Sequence, residues 1–406
     1  MKIKVAWLAP YPAHDLKPEL IIRRRPCAYH PCSWIVNLST ALAMRSDIEL
    51  HLVTESTLVS RSQTVPRGNI TFHVVRQAVP FTNRGYPPWF PVDVITGFRS
   101  TAACLARAIC GIRPDVVHAH GTEAAYALAG LASGYPCLVS IQGIINEYFK
   151  TNPDFRFRVV RHLERQEVQR AKYFTCRTNF DTGFVRALNP TAMIFHIHEA
   201  MNPVFFQDQW QLQEDAQLLF VGGLQERKGL DVLLRALPRV KEAVPAARIS
   251  VIGGGGGEYV QSLKNLIAEL SIGSSVEFLG QKTAAEIADW HRRSQIFVLP
   301  SDNENSPNTL AEAMVSGMPV IATNAGGIPS IVADGETGLL AKARNAQQFA
   351  DKIIYLLQNP AERRRLGENA RAAARSRHWP QTVAEETMKA YREILSLEER
   401  HAPATP

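Results

Sequence analysis

The feature that most constrains the fold is a regular alternation of short apolar runs with helix-forming stretches. In the first half of the chain, six runs have the length and composition of buried strands. They lie at residues 2–10, 48–54, 70–75, 114–118, 137–141 and 173–177. Loops and helical patterns separate them, so we expect an open parallel sheet with helices on both faces.

The same alternation resumes at Gln217, with strands expected at 217–221, 248–252, 276–279, 296–299, 319–323 and 338–340. An amphipathic helix is then expected to begin near residue 376, and no further strand pattern follows it. The pattern predicts an α/β fold with two doubly wound Rossmann-like domains facing one another across a cleft. We place the first domain at 1–195, a linker at 196–213, the second domain at 214–377, and at 378–406 a C-terminal helix that packs back toward the first domain.

Residues 301–327 (SDNENSPNTLAEAMVSGMPVIATNAGG) indicate an anion site. A buried strand precedes them, and we expect a helix with Ser306 as its N-cap and Pro307 as its first residue. This arrangement leaves the amides of Asn308, Thr309 and Leu310 free. Free first-turn amides and the helix dipole favour an anion by roughly 0.3–1 kcal/mol when exposed and by up to ~2 kcal/mol when partly buried. A nucleotide diphosphate fits such a site.

Two glutamates flank this site. Glu304 lies in the loop before the helix and Glu312 nearly two turns into it, roughly 9 Å away along the axis. One carboxylate is therefore placed for each end of a nucleotide sugar. The alternative is that both are ordinary surface acids. Gly317 and Pro319 end the helix, as a C′ glycine and a following proline do.

Charge, basic runs, apolar segment lengths and cysteine content limit the class of protein, although they do not identify its function. The formal net charge of +7 is compatible with anionic ligands, an anionic membrane surface or a solvated basic face. Neither RRR run, at 23–25 and 363–365, is interleaved with aromatic residues, so we expect no nucleic-acid partner. No segment has the length of a membrane span and the N-terminus reads as a strand, which favours residence in the cytoplasm. Six cysteines without a C-x-x-C pair indicate reduced, structural thiols.

Two stretches carry a family resemblance. Residues 221–229 (VGGLQERKG) and 304–323 (ENSPNTLAEAMVSGMPVIAT) resemble family 4 of the retaining glycosyltransferases, which have the GT-B fold. The likeness covers the second domain and is weaker in the first, at PDVVHAHGT and VSIQG. It implies that Glu304 contacts hydroxyls of the donor sugar, that Glu312 contacts the ribose, and that Lys228 neutralises the donor diphosphate.

The resemblance also assigns roles around these residues. Gly222 and Gly223 form the turn before Lys228, but many relatives have an arginine where this chain has Gly223. Arg227 is a weaker candidate for that contact. The run GGGGG at 253–257 fails the G-x-G-x-x-G test because its third position falls on Glu258. In the family a glycine-rich turn here lets the backbone approach the nucleotide, which assigns Gly253 and Gly254 to that role.

In the first domain, His120 matches the second histidine of the family's H-x-H and is expected near the donor sugar. The alternative is a histidine satisfied at a strand end. We interpret His118 as structural. A metal site on His118 and His120, or on His196 and His198, needs a third ligand that no spacing supplies. The family works without a metal, so we expect no metal and no cofactor, with the nucleotide sugar as a substrate.

The sequence thus predicts a metal-independent, retaining hexosyltransferase-type enzyme of polysaccharide biosynthesis. The donor carries UDP or GDP and binds the second domain, and the acceptor is a hydroxyl of a glycan, lipid-linked or small molecule on the first. Alternatives are a nucleotide-sugar epimerase, a phosphorylase and a non-catalytic binding protein. The loop HDLKPELIIRRRPCAYHPCSW replaces the glycine-rich turn of the family. Three alternatives are open for its arginines at 23–25: contact with the acceptor, peripheral contact with a membrane, or exposure to water.

Overall fold

A computed structural model describes residues 2–22, 32–76, 92–151, 153–207, 210–211 and 217–401. The basic run at 23–25 and the aromatic, proline-rich segment at 80–91 lie outside these residues. The chain forms two compact units. The first comprises residues 1–200 and 383–406, and the second comprises residues 201–382.

The first unit is built on an eight-stranded sheet. Its strands are β1 (Ile3–Leu8), β2 (Ile48–Ser56), β3 (Gln63–Arg67), β4 (Ile70–Arg76), β5 (Val116–His120), β6 (Cys137–Ser140), β7 (Tyr173–Cys176) and β8 (Met193–His196). Its helices are α1 (Ser33–Ala43), α2 (Val92–Ile95), α3 (Arg99–Ile112), α4 (Ala125–Ala132), α5 (Ile145–Thr151), α6 (Phe155–Arg170) and α7 (Asn179–Leu188).

The strand order in the first unit is β3-β4-β2-β1-β5-β6-β7-β8. Every neighbouring pair is parallel except β3 with β4. Side chains alternate along β1, so that Val5 and Trp7 join one buried cluster and Ala6 and Leu8 the other. The order of strands reverses between β1 and β5, which is where open parallel sheets bind ligands, at the carboxyl ends of the strands.

Two strands of this sheet were not expected. The edge strand β3 contains Pro66, which indicates a loop in a sequence but is tolerated on the outer edge of a sheet. The short strand β8 pairs with β7 in a stretch that we expected to lead into the linker. The helix expected near residue 94 is divided into α2 and α3, because Gly97 and Phe98 have φ angles of +58° and +56°.

The second unit contains a six-stranded sheet in which every neighbouring pair is parallel. Its strands are β9 (Gln217–Val221), β10 (Arg248–Ile252), β11 (Val276–Gly280), β12 (Ile296–Leu299), β13 (Val320–Thr323) and β14 (Leu339–Ala341). Its helices are α8 (Val204–Gln207), α9 (Leu230–Ala243), α10 (Gly257–Glu269), α11 (Ala284–Arg293), α12 (Asn308–Ser316), α13 (Ala346–Gln358) and α14 (Pro360–His378). The order β11-β10-β9-β12-β13-β14 reverses between β9 and β12.

The segment that we expected as a linker, 196–213, is divided between the units. Residues up to 200 belong to the first unit, and those from 201 belong to the second. Met201, Phe205, Phe206 and Trp210 are buried in a cluster with α12 and β12. Four large apolar side chains in this short stretch explain why it packs against the second unit.

The last helix, α15, spans Pro380–His401, and its residues from Val383 onward belong to the first unit. Val383, Met388, Tyr391 and Ile394 are buried in the cluster that contains Val5 and Trp7. The helix is amphipathic, and its apolar side completes one face of the first sheet.

Candidate functional site

The topology of the second unit brings Lys228 and Glu304 together. Lys228 follows β9 in a short 3-10 turn, Glu226–Lys228, and Glu304 follows β12. These two strands are neighbours at the point where the strand order reverses. The backbone amide of Asp302 donates a hydrogen bond to the carbonyl oxygen of Arg227, 2.9 Å away, which joins the two loops directly.

The central contact of the site is an ion pair between the Lys228 ammonium and the Glu304 carboxylate. The Lys228 side chain is 16% exposed and that of Glu304 is 9% exposed. A second cation flanks the pair, because Nη1 of Arg227 lies 3.7 Å from Oε2 of Glu304. Gly229 follows with a φ of +67°, and a Cβ there would overlap the carbonyl oxygen of Pro300. Only glycine can therefore follow Lys228, because a side chain at position 229 would collide with the backbone of Pro300.

A turn after β13 fixes the backbone of Glu304. The amide of Gly327 donates to the Glu304 carbonyl oxygen over 2.8 Å. Gly326 has a φ of +60°, and a Cβ there would overlap the same carbonyl oxygen. No role was predicted for these two glycines. The signal in the sequence was the Gly-Gly pair, separated by two residues from a predicted strand.

Arg344 holds the two loops from the side. Its guanidinium pairs with Asp302 in one loop and lies 3.2 Å from Asp231 and 3.8 Å from Glu226 in the other. Burial raises the pKa of Asp302, and the hydrogen bond from Arg344 opposes that rise. Arg344 was missed because it follows β14, far along the chain, and belongs to no recognisable motif.

The start of α12 differs from the expectation. The helix begins at Asn308, its N-cap is Pro307, and the side chain of Ser306 makes no capping hydrogen bond. Pro307 has a φ of −71°, which a helix permits, but a ψ of 113°, which is extended, so it stands outside the helix as its cap. The amide of Leu310 donates to the Pro307 carbonyl oxygen over 3.1 Å. Our assignment of Ser306 as cap and of Leu310 as a free donor was therefore wrong, and the first turn offers Asn308 and Thr309.

Glu312 is the fifth residue of α12, one turn from its start rather than the two turns expected. Its side chain is buried, in contrast to an ordinary surface acid. Burial raises its pKa from 4.5 to about 8. At neutral pH the carboxyl group is therefore mostly protonated in the ligand-free protein.

The glycines assigned to the nucleotide site make two close backbone contacts. The amide of Gly222 donates to Ile252, and that of Leu224 donates to Gly254, both over 2.9 Å. Gly253 has a φ of +147°, and a Cβ there would overlap the carbonyl oxygen of Gly222. At Gly223 the nearest atoms would lie 3.8–4.0 Å from a Cβ, so a Cβ fits at this position.

In the first unit, His120 ends β5 at the point where the strand order reverses. It is buried, and burial, followed by the charges of His118 and Arg177, holds its pKa well below the usual value. The ring of His118 stacks on that of His120 with centroids 4.0 Å apart. Both nitrogens of His118 have partners 2.7 Å away, the hydroxyls of Tyr391 and Ser140.

The described residues also limit other chemistries. Over these ranges, no group of three histidine, cysteine, aspartate or glutamate side chains could hold a metal ion. The same part of the chain has no helix of the length and apolarity needed to cross a bilayer. Five of its cysteines are free thiols, at positions 32, 104, 110, 137 and 176.

The second unit resembles a known family. Residues 205–373, from α8 into α14, match the family described as glycosyl transferases group 1. This part of the chain is therefore similar to group 1 glycosyltransferases. It contains Lys228, Glu304 and Glu312 with the loops that hold them. The resemblance expected from 221–229 and 304–323 is confirmed at this level.

Relatives with curated names support the same family. The D-inositol 3-phosphate glycosyltransferase of Corynebacterium aurimucosum is 36% identical over 183 residues, 44% of this chain and 43% of that protein. The protein of the same name from Streptomyces bingchenggensis is 28% identical over 299 residues, 70% of this chain and 64% of that protein. The matched region thus spans less than two thirds of the length of either relative.

Solved structures of glycosyltransferases share the fold. Sucrose-phosphate synthase from Thermosynechococcus elongatus superposes with a TM-score of 0.80 at 18% identity, over 98% of this chain and 100% of that one. Anabaena HepE in complex with UDP-glucose superposes with a TM-score of 0.71 at 17% identity, over 96% and 100%. The predicted GT-B fold, with two parallel-sheet α/β domains, is confirmed.

Proposed function

We propose that the chain is a retaining glycosyltransferase that moves a sugar from a UDP or GDP donor to a hydroxyl group without a metal ion. The observation that carries this proposal is the ion pair of Lys228 with Glu304 at the carboxyl ends of β9 and β12. An ammonium and a second cation on Arg227 lie at one buried carboxylate, and α12 begins four residues after it. Each of these groups has a use in binding a nucleotide diphosphate sugar.

The ion pair explains how the site exists without its ligand. Glu304 neutralises Lys228 in the ligand-free state. When the donor binds, its diphosphate takes over Lys228, and Glu304 becomes free to accept hydrogen bonds from sugar hydroxyls. Lys228 then opposes the negative charge that develops on the leaving diphosphate as the glycosidic bond breaks. A lysine is suited to this exchange, because its ammonium is a point charge on a flexible stem.

The nucleotide end of the proposed site is Glu312. A carboxylate accepts hydrogen bonds from both ribose hydroxyls, and the buried position of Glu312 fits a group that meets its partner only when the donor is bound. The glycines at 222, 223, 253 and 254 leave the backbone exposed for a close approach by the nucleotide. HepE, which has a similar fold, binds UDP-glucose. This supports UDP rather than GDP as the nucleotide of the donor.

For the chemical step we propose a same-face displacement. The bond from the anomeric carbon to the diphosphate oxygen breaks, and the acceptor oxygen bonds to that carbon on the same face. The acceptor proton passes to the leaving phosphate oxygen, so that no protein nucleophile is required. The role proposed for His120, contact with the donor sugar, rests on the family resemblance.

The acceptor proposed is a hydroxyl on a glycan, a lipid-linked sugar or a phosphorylated small molecule. The last class follows from the D-inositol 3-phosphate named in the relatives. A lipid-linked acceptor implies peripheral contact with an anionic membrane, for which the net charge of +7 is favourable. Absence of any binding to anionic vesicles at low salt would remove that part of the proposal.

The test is a transfer assay with UDP and GDP sugars against representatives of the three acceptor classes, with EDTA present. We expect release of nucleoside diphosphate that depends on the acceptor, and NMR should show that the product keeps the anomeric configuration of the donor. An epimerase would instead yield an altered nucleotide sugar without acceptor. A phosphorylase would require phosphate, and a binding protein would release no nucleotide during prolonged incubation.

A further inference from the structure

One hydroxyl group in the interior of the first unit bonds two rings that surround His120. It belongs to Tyr391 of α15, which is fully buried. Nε1 of Trp7, on β1, donates to this oxygen over 2.7 Å. Nδ1 of His118, on β5, lies 2.7 Å from the same oxygen. The residue thus connects the C-terminal helix to both strands at the reversal of the sheet order.

The hydrogen bonds of this group fix the form of His118. The Trp7 indole N–H can only donate, so the Tyr391 hydroxyl accepts from it, and we assign the hydroxyl's own proton to Nδ1 of His118, the other partner at this oxygen. Nε2 of His118 then carries the ring proton and donates to the Ser140 hydroxyl over 2.7 Å. Ser140 continues the chain to Thr175, 2.6 Å away. Burial lowers the pKa of His118 to about 3, which keeps the ring neutral.

His120 lies against both anchored rings. The centroid of its imidazole is 4.0 Å from that of His118 and 4.4 Å from that of Trp7. Nε2 of His120 is buried and has no hydrogen-bond partner among the described residues. The orientation of the imidazole is therefore held by its contacts with the two rings and not by a hydrogen bond to Nε2.

We propose that Tyr391 is a positioning residue that acts on His120 through Trp7 and His118. This inference rests on the proposed function, in which His120 contacts the donor sugar. Without the hydroxyl, the Trp7 N–H and one nitrogen of His118 both lose their partner inside the protein. His118 can then change tautomer, and both rings against His120 can shift. The C-terminal helix thereby supplies part of the site, although Tyr391 lies 271 positions after His120 in the chain.

A matched control separates positioning from mere attachment of the helix. The hydroxyl of Tyr173, on β7, donates to Oε1 of Glu398 on α15 over 2.7 Å. It is therefore another tyrosine hydroxyl that bonds α15 within the first unit. Tyr173→Phe removes one such bond but leaves the Trp7, Tyr391 and His118 group intact.

The experiment compares Tyr391→Phe with Tyr173→Phe in the full chain. In ¹⁵N-histidine NMR at pH 7, the wild type should show His118 with its proton on Nε2. We expect Tyr391→Phe to move the imidazole signals of both His118 and His120, and to lower kcat about tenfold with donor KM within about twofold. Tyr173→Phe should leave the signals and kcat unchanged.

Unchanged imidazole signals and kcat in Tyr391→Phe, with a loss of Tm like that of Tyr173→Phe, would overturn the proposal. If Tyr391→Phe does not fold, Ser140→Ala removes the other partner of His118 and is held to the same two readouts. Full activity of His120→Ala would contradict the role of His120 in the proposed function. In that event, moved imidazole signals in Tyr391→Phe would still support the positioning of His120 by Tyr391.

Discussion

The protonation of Glu312 gives the sharpest prediction, because burial and function require opposite states. Burial raises its pKa to about 8, whereas two ribose hydroxyls form their strongest hydrogen bonds with an ionised carboxylate. Only the ionised fraction of the protein binds the donor with full affinity. With a pKa of about 8, that fraction is about 1% at pH 6 and about 90% at pH 9, so the apparent Kd should fall about 90-fold across this range.

The assay is isothermal titration calorimetry with an intact nucleotide sugar at pH 6, 7, 8 and 9. A nucleotide sugar is the right probe because its diphosphate has no terminal phosphate that titrates near pH 6. Binding below pH 8 should also release a proton, visible as a dependence of the heat on the buffer. In Glu312→Gln the affinity should be low and independent of pH, whereas Glu304→Gln should keep the pH dependence. A flat wild-type profile, or a slope that persists in Glu312→Gln, would refute the reasoning.

Stability should respond to the same group with a defined sign. The folded state holds a proton on Glu312 that the unfolded chain releases near pH 4.5, so this contribution to stability is complete below pH 4.5 and is lost as pH rises to about 8. Glu312→Gln stays neutral and avoids the loss. Its Tm relative to wild type should therefore increase between pH 5 and 8, by an amount equivalent to at most ~5 kcal/mol at 1.36 kcal/mol for each pH unit.

Three further predictions concern the remaining parts of the site. Lys228→Ala should lower kcat/KM by about 10²–10³, as loss of one preorganised charge does, while Lys241→Ala, a lysine bonded to a serine in the same unit, should not. Glu304→Gln should abolish transfer but keep or increase the affinity for nucleoside diphosphate, measured by calorimetry, since it removes sugar contacts and the carboxylate that competes for Lys228. Gly253→Ala should lower the free energy of unfolding by about 1–3 kcal/mol through its strained φ. Gly256→Ala, where a Cβ meets nothing within 4 Å, should change it little.

The parts of the fold that follow from local pattern were predicted well. All six expected strands of the second unit formed, because buried parallel strands appear as short apolar runs between helices. The strands β3 and β8 were not predicted, since β3 contains a proline and the residues of β8 are not buried as those of the other four-residue strands are. The packing of Met201, Phe205, Phe206 and Trp210 in the second unit depended on tertiary contacts that no local pattern shows.

The site was predictable where a motif carried it. The motifs identified Lys228 and Glu304, whereas their contact follows from the neighbouring positions of their strands in the sheet, which the alternation of elements does not show. Serine is preferred to proline at the N-cap position, which favoured Ser306 in the sequence. The backbone conformation of Pro307 makes that residue the N-cap in the structure. The roles of Arg344 and Tyr391 were not predicted. Arg344 contacts a residue more than 40 positions away, and Tyr391 contacts one more than 270 positions away.

The central claim is that Lys228 binds the diphosphate of a nucleotide donor, and one comparison tests it most directly. Calorimetry should measure the affinities of nucleoside diphosphate and monophosphate for the wild type and for Lys228→Ala. We predict that the wild type prefers the diphosphate of UDP or GDP by at least about tenfold, or ~1.4 kcal/mol, and that Lys228→Ala loses most of this preference. Binding of neither nucleotide, or the same preference in both proteins, would contradict the account.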